Sequence, residues 1–149
     1  MPVDYVWRLL LAAGLGAALG VEREYRQKPA GLRTNILIAV GSALFTIMSA
    51  SMAQGGADPG RIAAQIVTGI GFLGGGAIMR NRDTVHGMTT AATIWVNAAI
   101  GVAAGSGQYA LATFAAALTL VVLVVLPPIE THFERRAGWP DRHRPPKDR

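Results

Sequence analysis

From Asn35 to Ile129 the chain is charged only at Asp58, Arg61, Arg80, Arg82 and Asp83, which fall in two tight groups. The rest of that stretch is apolar, small or uncharged polar. An apolar helix needs roughly 20 residues to cross a bilayer core of about 30 Å, and five segments qualify. The first runs from about Asp4 to Val21, with Arg8 near enough its end to snorkel to the interface. The second reads Asn35–Met52, the third Arg61–Met79 and the fourth about Met88–Ala104. The fifth, Tyr109–Leu126, is predicted to stop at Pro127 and Pro128, the second of which supplies no helical N–H. The predicted fold class is an all-α polytopic membrane protein with about five transmembrane helices. Residues 1–129 form the membrane domain, and residues 130–149 a basic, Pro-containing tail expected to stay disordered. The first span has Asp4 rather than a basic cluster ahead of it and no clear small-x-small cleavage site, which argues against a removed signal peptide.

Charge adds an orientation. Arg23, Arg26, Lys28 and Arg33 lie in the first loop, Arg80 and Arg82 in the third, and Arg135, Arg136, Arg142, Arg144, Lys147 and Arg149 in the tail, leaving only Arg8 and Arg61 on the other side. Basic residues near span ends favour the cytoplasm, so the amino terminus is predicted outside and the carboxyl terminus in the cytoplasm. The net charge of +5 is then a mark of topology. It does not follow a face or groove as a nucleic-acid footprint would, and no nucleic-acid partner is expected. The absence of Cys excludes disulfides and thiolate metal sites.

Three glycine pairs stand one helical turn apart: Gly16 and Gly20, Gly71 and Gly75, Gly101 and Gly105. Lipid tails are as apolar as Leu, so membrane helices associate by close packing, which such pairs permit. They either pack the single chain or form the seam of a homodimer or other homo-oligomer. On this reading Gly71→Leu disturbs packing more than Leu123→Ala. Gly69, Gly71, Gly74, Gly75 and Gly76 crowd the end of the third span. Such a run either accepts close neighbours or lets the helix break, and a break exposes backbone groups suited to an ion.

Polar residues mark two helical stripes. Arg61, Gln65 and Thr68 share one face of the third span; Thr90, Thr93 and Asn97 share one of the fourth, beside Thr89. Buried polar groups need partners, so these stripes are expected to face each other or a wet cavity. Gly87 ahead of Thr89 and Thr90 offers a flexible start whose hydroxyls could satisfy free N–H groups. Glu22, Arg23, Glu24, Arg33 and Asp83 form a candidate cytoplasmic cluster of ion pairs. No Asp or Glu stands near the middle of a span, which weakens a carboxylate-driven ion carrier. His86, His132 and His143 are scattered and make no metal site. No P-loop, G-x-S-x-G or H-E-x-x-H signature occurs, and neither enzymatic activity nor a cofactor is expected.

Three blocks then carry a resemblance. They are Gly20-Val21-Glu22-Arg23-Glu24 with Ala30-Gly31-Leu32-Arg33-Thr34; Arg61 to Gly76; and Gly87-Met88-Thr89-Thr90-Ala91-Ala92 with Trp95. Over roughly residues 5–126 the chain resembles the MgtC/SapB family of bacterial membrane proteins. The resemblance implies a multi-pass inner-membrane protein, associated in several members with adaptation to low magnesium and with survival inside host phagocytes. It leaves two activities open: magnesium or other ion transport through the Gly-rich third span, and non-enzymatic regulation of other membrane machinery, including the proton-driven ATP synthase, through contact with a partner complex. Longer members carry a soluble carboxy-terminal domain. The family's motif positions fall here on Glu22, Arg23, Arg33, Thr34, Arg61, Gln65, Thr89 and Thr90.

Overall fold

Each predicted span is a helix in the computed structural model, which describes residues 3–52, 58, 60–80 and 84–137. The helices are α1 (Val3–Tyr25), α2 (Leu32–Met52), α3 (Gly60–Gly76), α4 (Met88–Gly105) and α5 (Tyr109–Ala137). Between α3 and α4 stands a two-stranded antiparallel hairpin, β1 (Met79–Arg80) with β2 (Val85–His86), in which Met79 pairs with His86. α1, α2, α4 and α5 are long and apolar enough to cross a membrane. This is a polytopic all-α membrane fold.

Besides α2, which starts at Leu32 rather than Asn35 and so takes Arg33 and Thr34 into its first turn, three boundaries depart from the sequence reading. The helix of the third span has 17 residues, about 26 Å at 1.5 Å per residue, and what was predicted as its last turn is instead turn and strand. Its end follows from the glycines, since the N–H groups of Ala77 and Ile78 donate to the Gly74 and Gly75 carbonyls in tight three-residue turns. The second departure is at Pro127 and Pro128, which do not stop α5; it continues through both to Ala137. The missing Pro128 N–H would have bonded the Val124 carbonyl, and the Arg26 guanidinium donates to that carbonyl instead, at a long 3.5 Å. A neighbouring helix that supplies the lost donor is what lets proline persist in a membrane helix. The part of the predicted tail from residue 130 to Ala137 is therefore helical, and 138–149, with His143, lie outside the described residues. Third, α1 extends past Val21 to carry Glu22, Arg23 and Glu24 in its last two turns.

The loops are held by specific turns. α1 and α4 both end in a Schellman motif: Lys28 N–H donates to the Arg23 carbonyl and Gln27 N–H to Glu24, just as Gln108 donates to Ala103 and Gly107 to Ala104. Gln27 and Gly107 occupy the left-handed position, at φ 52° and 81°. The second of these turns joins α4 to α5 with only Ser106–Gln108 between them.

α4 packs against all four other helices. Yet the closest approaches are made on α2, gripped from two sides. A Cβ at Gly16 would stand 2.7 Å from the Asn35 carbonyl oxygen and 2.9 Å from the Ala39 Cβ, and one at Gly20 2.7 Å from the Leu32 Cα. On the other side, a Cβ at Gly101 would meet the Ser42 Cβ at 2.8 Å and one at Gly105 the Ala43 Cα at 2.8 Å. Two of the three glycine pairs thus pack the single chain. The third does not: among the described residues, a Cβ at Gly71 or Gly75 meets nothing within 4 Å. The core gathers around the clasp as Ala12, Leu19, Ala39, Ala43, Ile100, Ala104, Ala112, Ala116 and Leu123, with a second cluster of Ile38, Ile70, Ile94 and Ala98 toward α3.

The ranking of Gly71 against Leu123 is therefore reversed, because Gly71 has open space while Leu123 is buried. Gly101→Leu is expected to cost about 3 kcal/mol through overpacking, and Leu123→Ala about 2 to 4 kcal/mol. Gly71→Leu should leave the monomer within about 0.5 kcal/mol of the parent. Thermal unfolding in detergent of the three variants reads this directly; a Gly71→Leu melting point as low as that of Gly101→Leu would contradict the packing.

Candidate functional site

The polar side chains fall into three separate places, set by the helix ends and the clasp. The first is the last turns of α1. Arg23 is buried, and its Nε lies 2.5 Å from a Glu22 carboxylate oxygen; the Arg26 Nε reaches the other oxygen at 2.8 Å. Glu22 thus pairs with two arginines at once, which leaves the trio one positive charge in excess, and Arg26 spans from it to the Val124 carbonyl on α5. One residue on, a Glu24 carboxylate oxygen accepts the Leu32 N–H at 3.1 Å. An acidic group there satisfies a free donor and suits the positive end of the α2 dipole. Gly31 leaves room for that carboxylate, since a Cβ there would push the Glu24 side chain aside.

The second place lies deeper, where α4 meets α2. Asn97 and Asn35 are fully buried. The Asn97 amide Nδ2 donates to the Asn35 carbonyl at 2.7 Å and to its Oδ1 at 3.1 Å, while Asn35 donates back to the Ala30 and Gly31 carbonyls at 2.5 and 3.0 Å. Ala30 holds its carbonyl there with φ at 59°. The Asn97 Oδ1 is buried with no hydrogen-bond partner among the described residues. Asn97 was singled out from the sequence; Asn35 was read only as the start of a span. The signal that could have exposed it is its spacing, four residues before Ala39 on the face the glycines grip.

The third place is the opposite end of the bundle, where Arg8 does more than snorkel. Its guanidinium donates to the Gly105 carbonyl at 2.8 Å, lies 2.5 Å from Asp4 and stacks over the Tyr5 ring at 5.8 Å from the centroid. The Tyr109 hydroxyl donates to Asp4 at 2.6 Å. A cation at the last carbonyls of α4 meets the negative end of that helix.

The remaining predicted residues are not gathered with these. The two polar stripes do not face each other. Thr68 and Thr93 bond back to the Ala64 and Thr89 carbonyls of their own helices, at 3.1 and 2.8 Å, and Asn97 turns to α2. Each hydroxyl finds its acceptor four residues back, so neither helix needs the other's stripe. Thr89 is exposed and Thr90 buried, but no side chain caps α4. That start is made by Gly87 at φ 91°, where the backbone runs so close to Ala77 that only glycine fits. The Gly-rich run is not a break: α3 is continuous, Gly74 alone of the five lies near a neighbour, at Ala91, and Gly69, Gly71, Gly75 and Gly76 are open. Arg33 and Arg61 are exposed and, among the described residues, in no ion pair. Asp83, expected as a partner in the cluster, lies outside the described residues.

Thr34 and Gln65 instead line a groove of about 730 Å³ between α2 and α3, walled mainly by Leu37, Ile38, Phe45, Ile66, Ile70 and Leu73. Chemically, the ion-paired end can hold a fixed charge balance, the Asn pair can register two helices, and the groove can hold an apolar body. Among the described residues no group of three His, Cys, Asp or Glu is placed to bind a metal ion.

Residues 9–132 match the MgtC family. MgtC of Salmonella typhimurium LT2 is 51% identical over 122 residues, covering 82% of this chain and 52% of that protein. YhiD of Escherichia coli K12, whose name marks it as a candidate magnesium transporter, is 49% identical over 132 residues, covering 84% and 61%. An uncharacterized protein of Synechocystis is 48% identical over 124 residues, covering 83% and 53%. The chain spans about half to three-fifths of the length of these relatives. No solved structure matches.

Asn97→Ala should lower stability by about 1 to 2 kcal/mol, because it strands the Asn35 carbonyl face. Asn97→Asp should cost more, since a carboxylate would sit against the Asn35 oxygens without a donor. Melting points in detergent check the order; an Asn97→Asp variant as stable as the parent would remove the pair from any structural role.

Proposed function

The chain belongs to the MgtC family, and from that we propose that it is a non-enzymatic regulator in a bacterial inner membrane, acting on other membrane machinery during adaptation to low magnesium. The observation that carries this reading is how the bundle axis is filled. α1, α2 and α4 meet at backbone distance through four glycines, and the Asn35–Asn97 pair joins α2 to α4 one turn from Gly101. A path for an ion along this axis would have to displace main chain. The contact with the partner complex is assigned in this reading to the open side of α3, where Gly71 and Gly75 admit a neighbouring helix at close range. The Glu22–Arg23–Arg26 cluster at the end of α1 is assigned the tuning of that contact. The chain is oriented with α1 starting outside and α5 ending in the cytoplasm, as its basic residues favour.

The second reading is transport of magnesium or another ion by way of α3, and the name of the Escherichia coli relative favours it. Proteoliposomes holding only the purified chain separate the two. The regulator reading expects magnesium flux no greater than in empty vesicles, and a photo-crosslinker at Phe72 that captures a different membrane protein. Flux above background that falls with Gln65→Leu would establish transport, and capture of this chain alone would remove the partner. Reporter fusions after Gln54 and after Arg82 should report opposite sides, the latter cytoplasmic.

A further inference from the structure

The groove between α2 and α3 has a length and a polar edge that fit one kind of occupant. Its walls run from Thr34 to Phe45 on α2 and from Ile62 to Leu73 on α3. At 1.5 Å per residue each wall is about 16 Å long, half of the roughly 30 Å hydrocarbon core. The α2 wall lies within a helix long and apolar enough to span, so the groove opens at membrane depth. A partner helix that crosses the bilayer needs a track of about 30 Å, which this groove lacks. Its length is that of an acyl chain in a single leaflet. The space is kept by glycine on both walls, since a Cβ at Gly41 or Gly69 would meet nothing within 4 Å. Side chains around an unfilled space of this size lose their dispersion contacts, and its volume is typical of a site for a small ligand.

The polar residues at the start of α3 follow one helical face, with Arg61 just beyond the end of the groove and Gln65 on its wall. Arg61 stands in the first turn, exposed and, among the described residues, in no ion pair, whereas Arg8, Arg23 and Arg26 are all engaged. Asp58, beside it, is committed to the Gly60 N–H at 2.8 Å. Gln65 follows Arg61 by four residues, about 6 Å deeper, on the groove wall, and makes no hydrogen bond among the described residues. An amide left without a partner in hydrocarbon is costly. Beyond it the wall is Ile66, Gly69, Ile70 and Leu73. From the interface inward the order is cation, amide donor, hydrocarbon. A phospholipid presents the complementary order of phosphate, ester carbonyl and acyl chain.

We propose that the α2–α3 groove is a binding site for one phospholipid, with its phosphate on the Arg61 guanidinium, an ester carbonyl accepting from the Gln65 amide, and one acyl chain lying between α2 and α3. The guanidinium suits a phosphate as a charged, multi-donor partner. The site does not depend on which activity the family member performs.

Native mass spectrometry of the full chain, extracted from membranes into mild detergent, tests the site, with helicity by circular dichroism recorded for every variant. The parent should retain one phospholipid per chain. Gly69→Phe and Gly41→Phe, which fill the groove from opposite walls, should each cut the retained fraction at least fivefold. Arg61→Gln and Gln65→Leu should each cut it at least threefold. Arg33→Gln, at the other end of the groove, should stay within twofold of the parent. A parent with no retained phospholipid, retention unchanged in both groove-filling variants of native helicity, or equal losses for Arg33→Gln and Arg61→Gln would each overturn the proposal. So would a dimer that dissociates on filling the groove while lipid retention is unaltered, which would put a second copy there instead.

Discussion

Helices already dissolved in lipid gain no hydrophobic energy by leaving it for each other, so this bundle depends on backbone-to-backbone approach at α2. Four glycines make that approach possible, two on α1 and two on α4, and they act on successive stretches of the same helix. Once main chains are that close, dispersion contacts are dense and a polar side chain at the seam can reach carbonyls that a larger spacing would deny it. Asn97 does so, bonding both the main chain and the side chain of Asn35. Interhelical bonds of this kind are worth on the order of 0.6 to 2 kcal/mol, enough to define register between helices that would otherwise slide.

A second constraint governs the charged residues. Every helix end that approaches the hydrocarbon leaves unpaired N–H or C=O groups, and several ionic side chains are spent on them. Arg8 takes the Gly105 carbonyl, Glu24 the Leu32 N–H, and Arg26 the carbonyl orphaned by Pro128. Each charge so used is itself balanced or committed, as Arg8 is by Asp4 and Arg26 by Glu22. What is left uncommitted among the described residues stands out against this background, and Gln65 on the α3 wall and Arg61 one turn before it are part of it.

The architecture was largely legible in the sequence because hydrocarbon imposes one long-range rule, an unbroken apolar run, that a helix obeys everywhere along its length. The glycine spacing pointed to close packing within the chain or between copies, and two of the three pairs pack the chain, while Asn97 turns to α2 rather than to the polar stripe of α3. What was not legible depends on a neighbour. Pro127 and Pro128 read as a stop, and only the position of Arg26, in the turn after α1, shows what takes up the carbonyl that Pro128 leaves free. The glycines of α3 looked the same as those of α1 and α4 in spacing, but spacing does not say whether another helix is present to use it. Asn35 was overlooked because a polar residue at the edge of a span is ordinary until its partner, 62 positions away, is known. The polar stripes of α3 and α4 are expected to face each other or a wet cavity because both need acceptors, whereas Thr68 and Thr93 find theirs in their own helices.

Ala39 belongs to both sides of the clasp at once. Its Cβ faces Gly16 of α1, while its carbonyl faces Gly101 of α4. A larger side chain there cannot be relieved by moving either neighbour alone, since shifting α2 away from one presses it against the other. Substitutions at these three positions are therefore energetically non-additive, and drift at one is admissible only in company with change at the others. Over evolutionary time such a trio behaves as a single heritable character rather than three independent sites.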